Sequence, residues 1–278
     1  ISLTGLSVAR ANLSNANLTN AIFTGADISG ANLSGANLTN VVSTGGGITG
    51  TAVLPSIASS DGGGIWALRN GYLLGPTVIV RSADFSSSVD LSGINLRSAD
   101  LSGSNFTGDT FGNNNVNGAN FTNAILTNVT SVGLVGTATF AGTSSIYTIR
   151  SGFIVGPSVI LSNRTLTGVN LSNIVLTSAN FTSANLTNAT LTAADISGAI
   201  FTGATFTGIA SGQIVSPATP AGVTLPTNFQ LRGGFIVGPA CNLSAANLTN
   251  VDLSGVNLAN STITSSTNLS NTMIVNAT

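Results

Sequence analysis

Along residues 11–40 a large apolar residue returns at every fifth position: Leu13, Leu18, Phe23, Ile28, Leu33 and Leu38. Two positions before each stands an alanine, from Ala11 and Ala16 through to Ala36. Between the two lies Asn or Asp, once Ile; after the large residue come Ser or Thr, then Gly or Asn. A period of five fits neither the 3.6 of an amphipathic helix nor the 2 of a half-buried strand. A fixed short period predicts a solenoid. Each pentad predicts one short side of a coil, with its small and large apolar residues inside and its polar residues outside. Gly or Asn makes the corner, because both accept positive φ cheaply. Four sides make a square coil of about twenty residues, and coils stack at roughly 4.8 Å.

Pentad blocks cover residues 1–42, 78–130, 159–210 and 241–278, and the whole chain, 1–278, reads as one solenoid. Inserts at 43–77, 131–158 and 211–240 separate the blocks. A one-residue slip falls among Ser86, Ser87 and Ser88, and a second precedes Leu269. A corner can absorb a single extra residue as a bulge. Phe181 and Phe201, one coil apart, should stack; so should Phe85 and Phe106 once the slip is counted.

The inserts are related to one another. They end in WALRNGYLLGP (66–76), YTIRSGFIVGP (147–157) and FQLRGGFIVGP (229–239). Two apolar runs around Asn-Gly, Ser-Gly or Gly-Gly predict β-hairpins with type I′ turns, which want positive φ at both central residues. Gly75-Pro76, Gly156-Pro157 and Gly238-Pro239 return the chain to the coil. Arg69, Arg150 and Arg232 stand just before the turns, so insert and block together form a super-repeat of about 82 residues. The hairpins are expected to project from the solenoid. Native proteolysis is expected first in 43–64, 132–145 and 212–228, where Gly, Ser and Pro collect.

The pentads resemble the pentapeptide-repeat family, whose motif is A(D/N)LXX. The match covers about two-thirds of the residues directly. The resemblance implies an all-β chain, a right-handed quadrilateral β-helix with the central Leu or Phe and the preceding Ala inside.

Charge narrows the possible functions. Seven Arg face eight Asp, and Lys, Glu and His are absent, so the formal net charge is −1. That is far from the basic balance of a nucleic-acid binder. It is equally far from the acidic stripe needed by a DNA mimic that binds a topoisomerase, a role the resemblance brings into view. Ser, Thr and Asn supply the polar exterior instead. No apolar run reaches the length of a membrane span. The chain opens in mid-pattern with Ile1-Ser2-Leu3, without an initiator Met or signal peptide, as a processed or cropped product would.

The inventory for catalysis is poor, and no enzyme activity, cofactor or metal site is expected. Without His or Lys the usual bases and Schiff-base amines are missing. Asp27, Asp84, Asp90, Asp100, Asp195 and Asp252 occupy the outward position before the central residue and read as solvated. Asp109 and Asn114 instead take inward positions, which predicts either a hydrogen-bonded polar pair or a local distortion. Arg164 is also at an inward position, which predicts an irregular pentad that turns it out. Cys241 reads as a small buried hydrophobe with no partner for a disulfide or a reactive thiol. The Gly62-Gly63-Gly64 run lacks the Lys and helix of a phosphate loop. Seventeen Asn-x-Ser/Thr sequons occur, among them Asn12, Asn32 and Asn180, but the repeat consensus generates them, so their number is no evidence of N-glycans. The outward geometry leaves such modification open.

A structural or assembly role fits best: a solenoid that forms or decorates a filament, sheath or layer outside the cell or on a virion. Both ends fall in repeat rhythm with no polar cap evident, which would leave sheet edges to pair with another copy. The candidate contacts are the repeated arginines Arg69, Arg150 and Arg232 with the aromatics Trp66, Tyr72, Tyr147, Phe153, Phe229 and Phe235. Set in a row, they would offer identical contacts to a second chain. An ice- or glycan-binding surface of Thr, Ser and Asn ladders is the other alternative to the DNA mimic.

Overall fold

The computed structural model describes residues 1–59, 63–214 and 222–278. The chain divides into two compact units, Ile1–Ile154 and Val155–Thr278. Both are built from stacked coils, and the described residues contain no α-helix. Coil sides pair in parallel at a spacing of twenty residues, as in Ser2 with Ile22 and Asn12 with Asn32 in the first unit. The second unit repeats this with Ile160–Asn180 and Asn180–Ile200.

One pentad shows why the motif has its form. The Asn12 Oδ1 accepts the Ser14 N–H at 3.1 Å and its hydroxyl at 2.7 Å, so the residue before the centre seeds the turn after it. Asn15, at the corner, takes φ 57°. The next small residue closes the turn, Ala16 N–H to Leu13 C=O at 3.1 Å, while the corner N–H reaches the following coil, Asn15 to Ser34 C=O at 2.9 Å. The backbone is therefore satisfied both within the turn and along the axis. Phe23, Leu33, Phe181 and Leu186 are fully buried, as are Ala21, Ala31 and Ala184. Phe85 stacks on Phe106 (centroids 5.2 Å, 5° apart in plane) and Phe181 on Phe201 (4.9 Å, 8°), as the spacing predicts.

Both slips fall where the sequence places them. Partners are twenty-one residues apart at Asp84–Asn105 but twenty at Asp90–Thr110, and the spacing shifts again between Asn242–Thr262 and Asn247–Asn268.

The hairpins form, but they do not project. β1 (Ala67–Arg69) and β2 (Tyr72–Leu74) pair antiparallel around Asn70 (φ 47°) and Gly71 (φ 76°). A short parallel pair, β3 (Thr110–Gly112) with β4 (Thr130–Val132), belongs to the coils. The second hairpin is β5 (Thr148–Arg150) with β6 (Phe153–Val155), and the third β7 (Gln230–Arg232) with β8 (Phe235–Val237). Their turns have positive φ at both central residues, Ser151-Gly152 and Gly233-Gly234. The second strand of each is sealed into the core: Leu73, Ile154 and Ile236 are at most 1% exposed. A strand carrying YLL or FIV has too much apolar surface to stand in water.

The inserts also lay coil sides before their hairpins. Thr49 and Val53 pair with Asp27 and Asn32, and Val135 with Asn115. The windows expected to be protease-sensitive, 43–64 and 212–228, and the Gly62-Gly63-Gly64 run fall in part on residues 60–62 and 215–221, outside the described residues.

Candidate functional site

Each hairpin is held by the same two bonds. The pentad rhythm puts Ser43, Ser131 and Ser211 at the central position, where Leu or Phe otherwise stands. Their hydroxyl oxygens accept the N–H of Leu73 (2.7 Å), Ile154 (2.8 Å) and Ile236 (2.8 Å), the same residue of the second strand each time. Five or three residues on, Ile48, Leu134 and Ile214 donate N–H to the turn carbonyls of Gly71, Gly152 and Gly234, all at 3.0 Å. A serine at the centre opens the core just enough to accept a strand from above. In the sequence each serine shows only as the place where the pattern stops, and nothing local marks it as the acceptor for a strand.

The candidate contact residues belong largely to this anchoring. Trp66 lies so close over Gly75 that a Cβ there would stand 2.0 Å from the indole, and Phe229 covers Gly238 in the same way at 2.5 Å. Tyr72 packs over Gly46 and against Phe85, with ring centroids 4.9 Å apart. Phe235 packs over Gly212. Tyr147 and Phe153 are buried, and burial pushes the Tyr147 hydroxyl above its ordinary pKa. Arg69 is half-buried and donates to the backbone carbonyls of Asp90 (Nε, 3.0 Å) and Leu68 (3.1 Å). Arg150, also half-buried, donates to the Thr148 hydroxyl (2.8 Å) and the Ile149 carbonyl (3.1 Å). Arg232 alone of the three is exposed. Its charge helps to hold the Asp252 carboxyl below the usual range, after the Ser254 hydroxyl and N–H. Arg69 and Arg150 lie in the first unit and Arg232 in the second.

The inward polar residues form neither a pair nor a distortion. Ser104, Asp109 and Asn114 are consecutive small positions of one coil, all fully buried, and each serves a turn of the coil that holds the slip. The Ser104 hydroxyl accepts Ala83 N–H (3.1 Å) and donates to Val80 C=O (3.2 Å), standing inside that turn. The Asn114 amide donates to Leu91 C=O (2.7 Å) and Ile94 C=O (2.9 Å). Asp109 Oδ1 accepts Val89 N–H at 2.8 Å. In a regular pentad that N–H would close the turn on the carbonyl three residues back; the extra serine moves the carbonyl away and the carboxylate replaces it. Asp109 Oδ2 and Asn114 Oδ1 are buried without a partner among the described residues. Burial pushes the Asp109 carboxyl up to about 6, against the pull of Val89 N–H, and the Asp84 charge pushes the same way.

Arg164 overturns its expectation differently. Its pentad is regular: the N–H closes the turn on Leu161 C=O at 3.3 Å, and Thr165 pairs with Asn185. The side chain is half-buried, with Nε enclosed and unbonded among the described residues. Cys241 fills a small inward position; burial pushes its thiol up to about 12.

The outward aspartates do more than face water. Asp27, Asp84, Asp90 and Asp252 are held below the usual carboxylate range chiefly by the hydroxyl and N–H of the serine two residues on. At Asp100 burial pushes up, but Ser102 and Arg81, the latter at 2.6 Å, prevail. Among the described residues no group of His, Cys, Asp or Glu could hold a metal ion, and no helix is long and apolar enough to cross a membrane.

The description "Pentapeptide repeats (8 copies)" matches residues 1–41, 90–128, 161–192, 170–208 and 241–278. No curated protein matches the chain. Among solved structures it is similar to HetL, a pentapeptide repeat protein involved in heterocyst differentiation regulation from the cyanobacterium Nostoc sp. strain PCC 7120. The identity is 18%, covering 100% of this chain and 87% of that one, with a TM-score of 0.18. It is also similar to full-length QnrB1, a plasmid-mediated fluoroquinolone resistance protein (16%, 95% and 92%, TM-score 0.21). A third is Rfr23 from the cyanobacterium Cyanothece 51142 (20%, 53% and 63%, TM-score 0.14). The matched blocks span more than half of the residues and coincide with the stacked coils: the chain belongs to the pentapeptide-repeat family, and its fold is the right-handed quadrilateral β-helix.

Proposed function

We propose that this chain is a non-enzymatic structural protein that forms or decorates a filament, sheath or layer outside the cell or on a virion, through contacts between copies of itself. The observation that carries the reading is the self-satisfied, nearly uncharged exterior. Outward Asn and Asp oxygens are bound to their own turns, as at Asn17, Asn37 and Asn247. Coil faces of this kind are flat ladders of hydroxyl and amide groups, and two copies can approach without charge repulsion. The distribution of charge weighs against a DNA mimic. Arg81 pairs with Asp100, and after the Ser92 and Ser254 hydrogen bonds the charges of Arg69 and Arg232 add to the lowering of the Asp90 and Asp252 carboxyls.

Sedimentation velocity over a wide concentration range, with negative-stain microscopy of the same samples, tests the reading. Ordered assemblies that grow with concentration are expected. Replacing Arg232, the exposed one of the three repeated arginines, by Ala should weaken lateral contacts while the β-structure signal persists. A chain that remains strictly monomeric at high concentration overturns the proposal.

A further inference from the structure

The first insert and the blocks on either side of it line an open cleft of about 300 Å³ whose walls include Asn37, Pro55, Ser56, Trp66, Pro76 and Arg97. The second unit has a cleft at the equivalent place, about 400 Å³, walled by Phe206, Pro226, Phe229 and Pro239. The apolar frame thus recurs: a proline from the insert, the aromatic that covers the glycine, and the proline that follows it. What differs is the polar equipment. Among the described lining residues of the two clefts, an arginine stands in the first alone.

That arginine is held in place through its backbone, and among the described residues its guanidinium makes no hydrogen bond. The buried Asn95 accepts the Arg97 N–H at 2.9 Å and donates to Gly63 C=O at 2.7 Å, and Thr77 N–H donates to Arg97 C=O at 2.8 Å. Among the described residues the Arg97 guanidinium has no ion-pair partner, unlike Arg81 with Asp100. Across the cleft, Asn37 has its Oδ1 occupied by the N–H (3.0 Å) and hydroxyl (2.6 Å) of Thr39, which leaves Nδ2 to donate. The cleft therefore offers a charged donor fork, an amide donor and a serine hydroxyl between rigid apolar walls. Two prolines and an indole clamped on Gly75 have little rotamer freedom to lose on binding.

We propose that this cleft binds a carboxylated sugar residue of the uronate type. The guanidinium fork takes a carboxylate through two parallel bonds. Asn37 and Ser56 meet ring hydroxyls, and the prolines lie against the C–H face of the ring. A cleft of this size is at the lower end of those that hold small molecules, which suits one sugar unit. Trp66, 9% exposed, forms a wall rather than a stacking platform. The site is independent of self-association: it would give the protein a hold on acidic glycans whether or not copies contact one another.

Trp66 is the single tryptophan of the chain, so its fluorescence reports on this cleft alone. The full chain is titrated with glucuronate, glucose and acetate, with saturation-transfer NMR as a second readout in case the indole is silent. Glucuronate should give a saturable response with a dissociation constant near about 1 mM, and glucose and acetate should bind at least about tenfold more weakly. Arg97→Ala, an exposed position whose fold is checked by circular dichroism, should lose the glucuronate response. The proposal is overturned by silence in both readouts, by equal responses to glucose or acetate, or by an unchanged response in Arg97→Ala.

Discussion

Asp109 exchanges a turn carbonyl for a carboxylate, and the exchange depends on pH. Its carboxyl pKa is raised from 3.8 to about 6, so the fold prefers the neutral form. The stability it contributes is fully present below the unfolded value, falls as pH rises from about 4 to 6, and is absent above that. Asp109→Asn keeps an oxygen for Val89 N–H and cannot ionise. It should stabilise the protein above pH 6 by of order 1–3 kcal/mol, and the gain should vanish near pH 4 in urea titrations at a series of pH values. The pentad centre and its outward neighbour give a second pair of expectations. Leu33 is fully buried, so Leu33→Asp places an unpaired charge in the core and should unfold the adjacent coils. Asn32→Asp should cost almost nothing, since Asp27 makes the same turn bonds in its pentad, whereas Asn32→Ala should cost about 1 kcal/mol by removing the acceptor of Ser34 N–H. Equal losses in thermal melts for Leu33→Asp and Asn32→Asp would contradict the inside–outside assignment. The sequence made inside and outside legible through size and polarity. It did not reveal that outward Asn and Asp hold the turn, because a solvated residue and a turn-seeding one have the same composition.

At the scale of the element, the hairpins were legible in their turns but not in their packing. Asn70-Gly71, Ser151-Gly152 and Gly233-Gly234 announced type I′ turns, since backbone chirality alone restricts which residues can sit there. Nothing local announced that Leu73, Ile154 and Ile236 would fold inward, because that depends on a serine 23 to 30 residues earlier. The anchoring can be tested at one site. Ser131→Ala leaves Ile154 N–H buried without an acceptor and should destabilise the second hairpin by about 1–3 kcal/mol. Amide exchange should quicken at Ile154 while Phe121 and Ile125, whose N–H groups bond Thr139 and Ser104 C=O in the coil beneath, keep their protection. Uniform acceleration across both would show that the serine supports the coil rather than the hairpin. The cleft was less legible still. Arg97 occupies an outward position like many others, and only the folded insert brings Trp66 and Pro76 beside it.

At the scale of the whole molecule, coil sides are interchangeable parts joined in series, and stability accumulates between neighbours. The twenty-residue pairing, the Phe stacks and both slips followed from counting by five. The two units and the second cleft did not, because they depend on how inserts fill space rather than on period. Counting by five also sets what changes of length the chain can survive. Deleting residues 170–189 removes one full turn and leaves every later side on its original face, so the shortened protein should melt cooperatively with its β-signal intact. Deleting 175–179 alone also keeps inside and outside. Every downstream face, however, is turned by a quarter of a revolution, so ladders that stacked Asn on Asn would meet different neighbours. Deleting Thr177 alone leaves a four-residue side one position short of its corner and should destabilise the coils on either side of it. At the serine run 86–88, Asp109, one coil later, supplies the acceptor that the extra residue displaces. A lineage of such proteins is therefore expected to change length in whole turns, with rare single-residue steps accompanied by a polar side chain that caps the altered turn, as Asp109 and Thr267 do here.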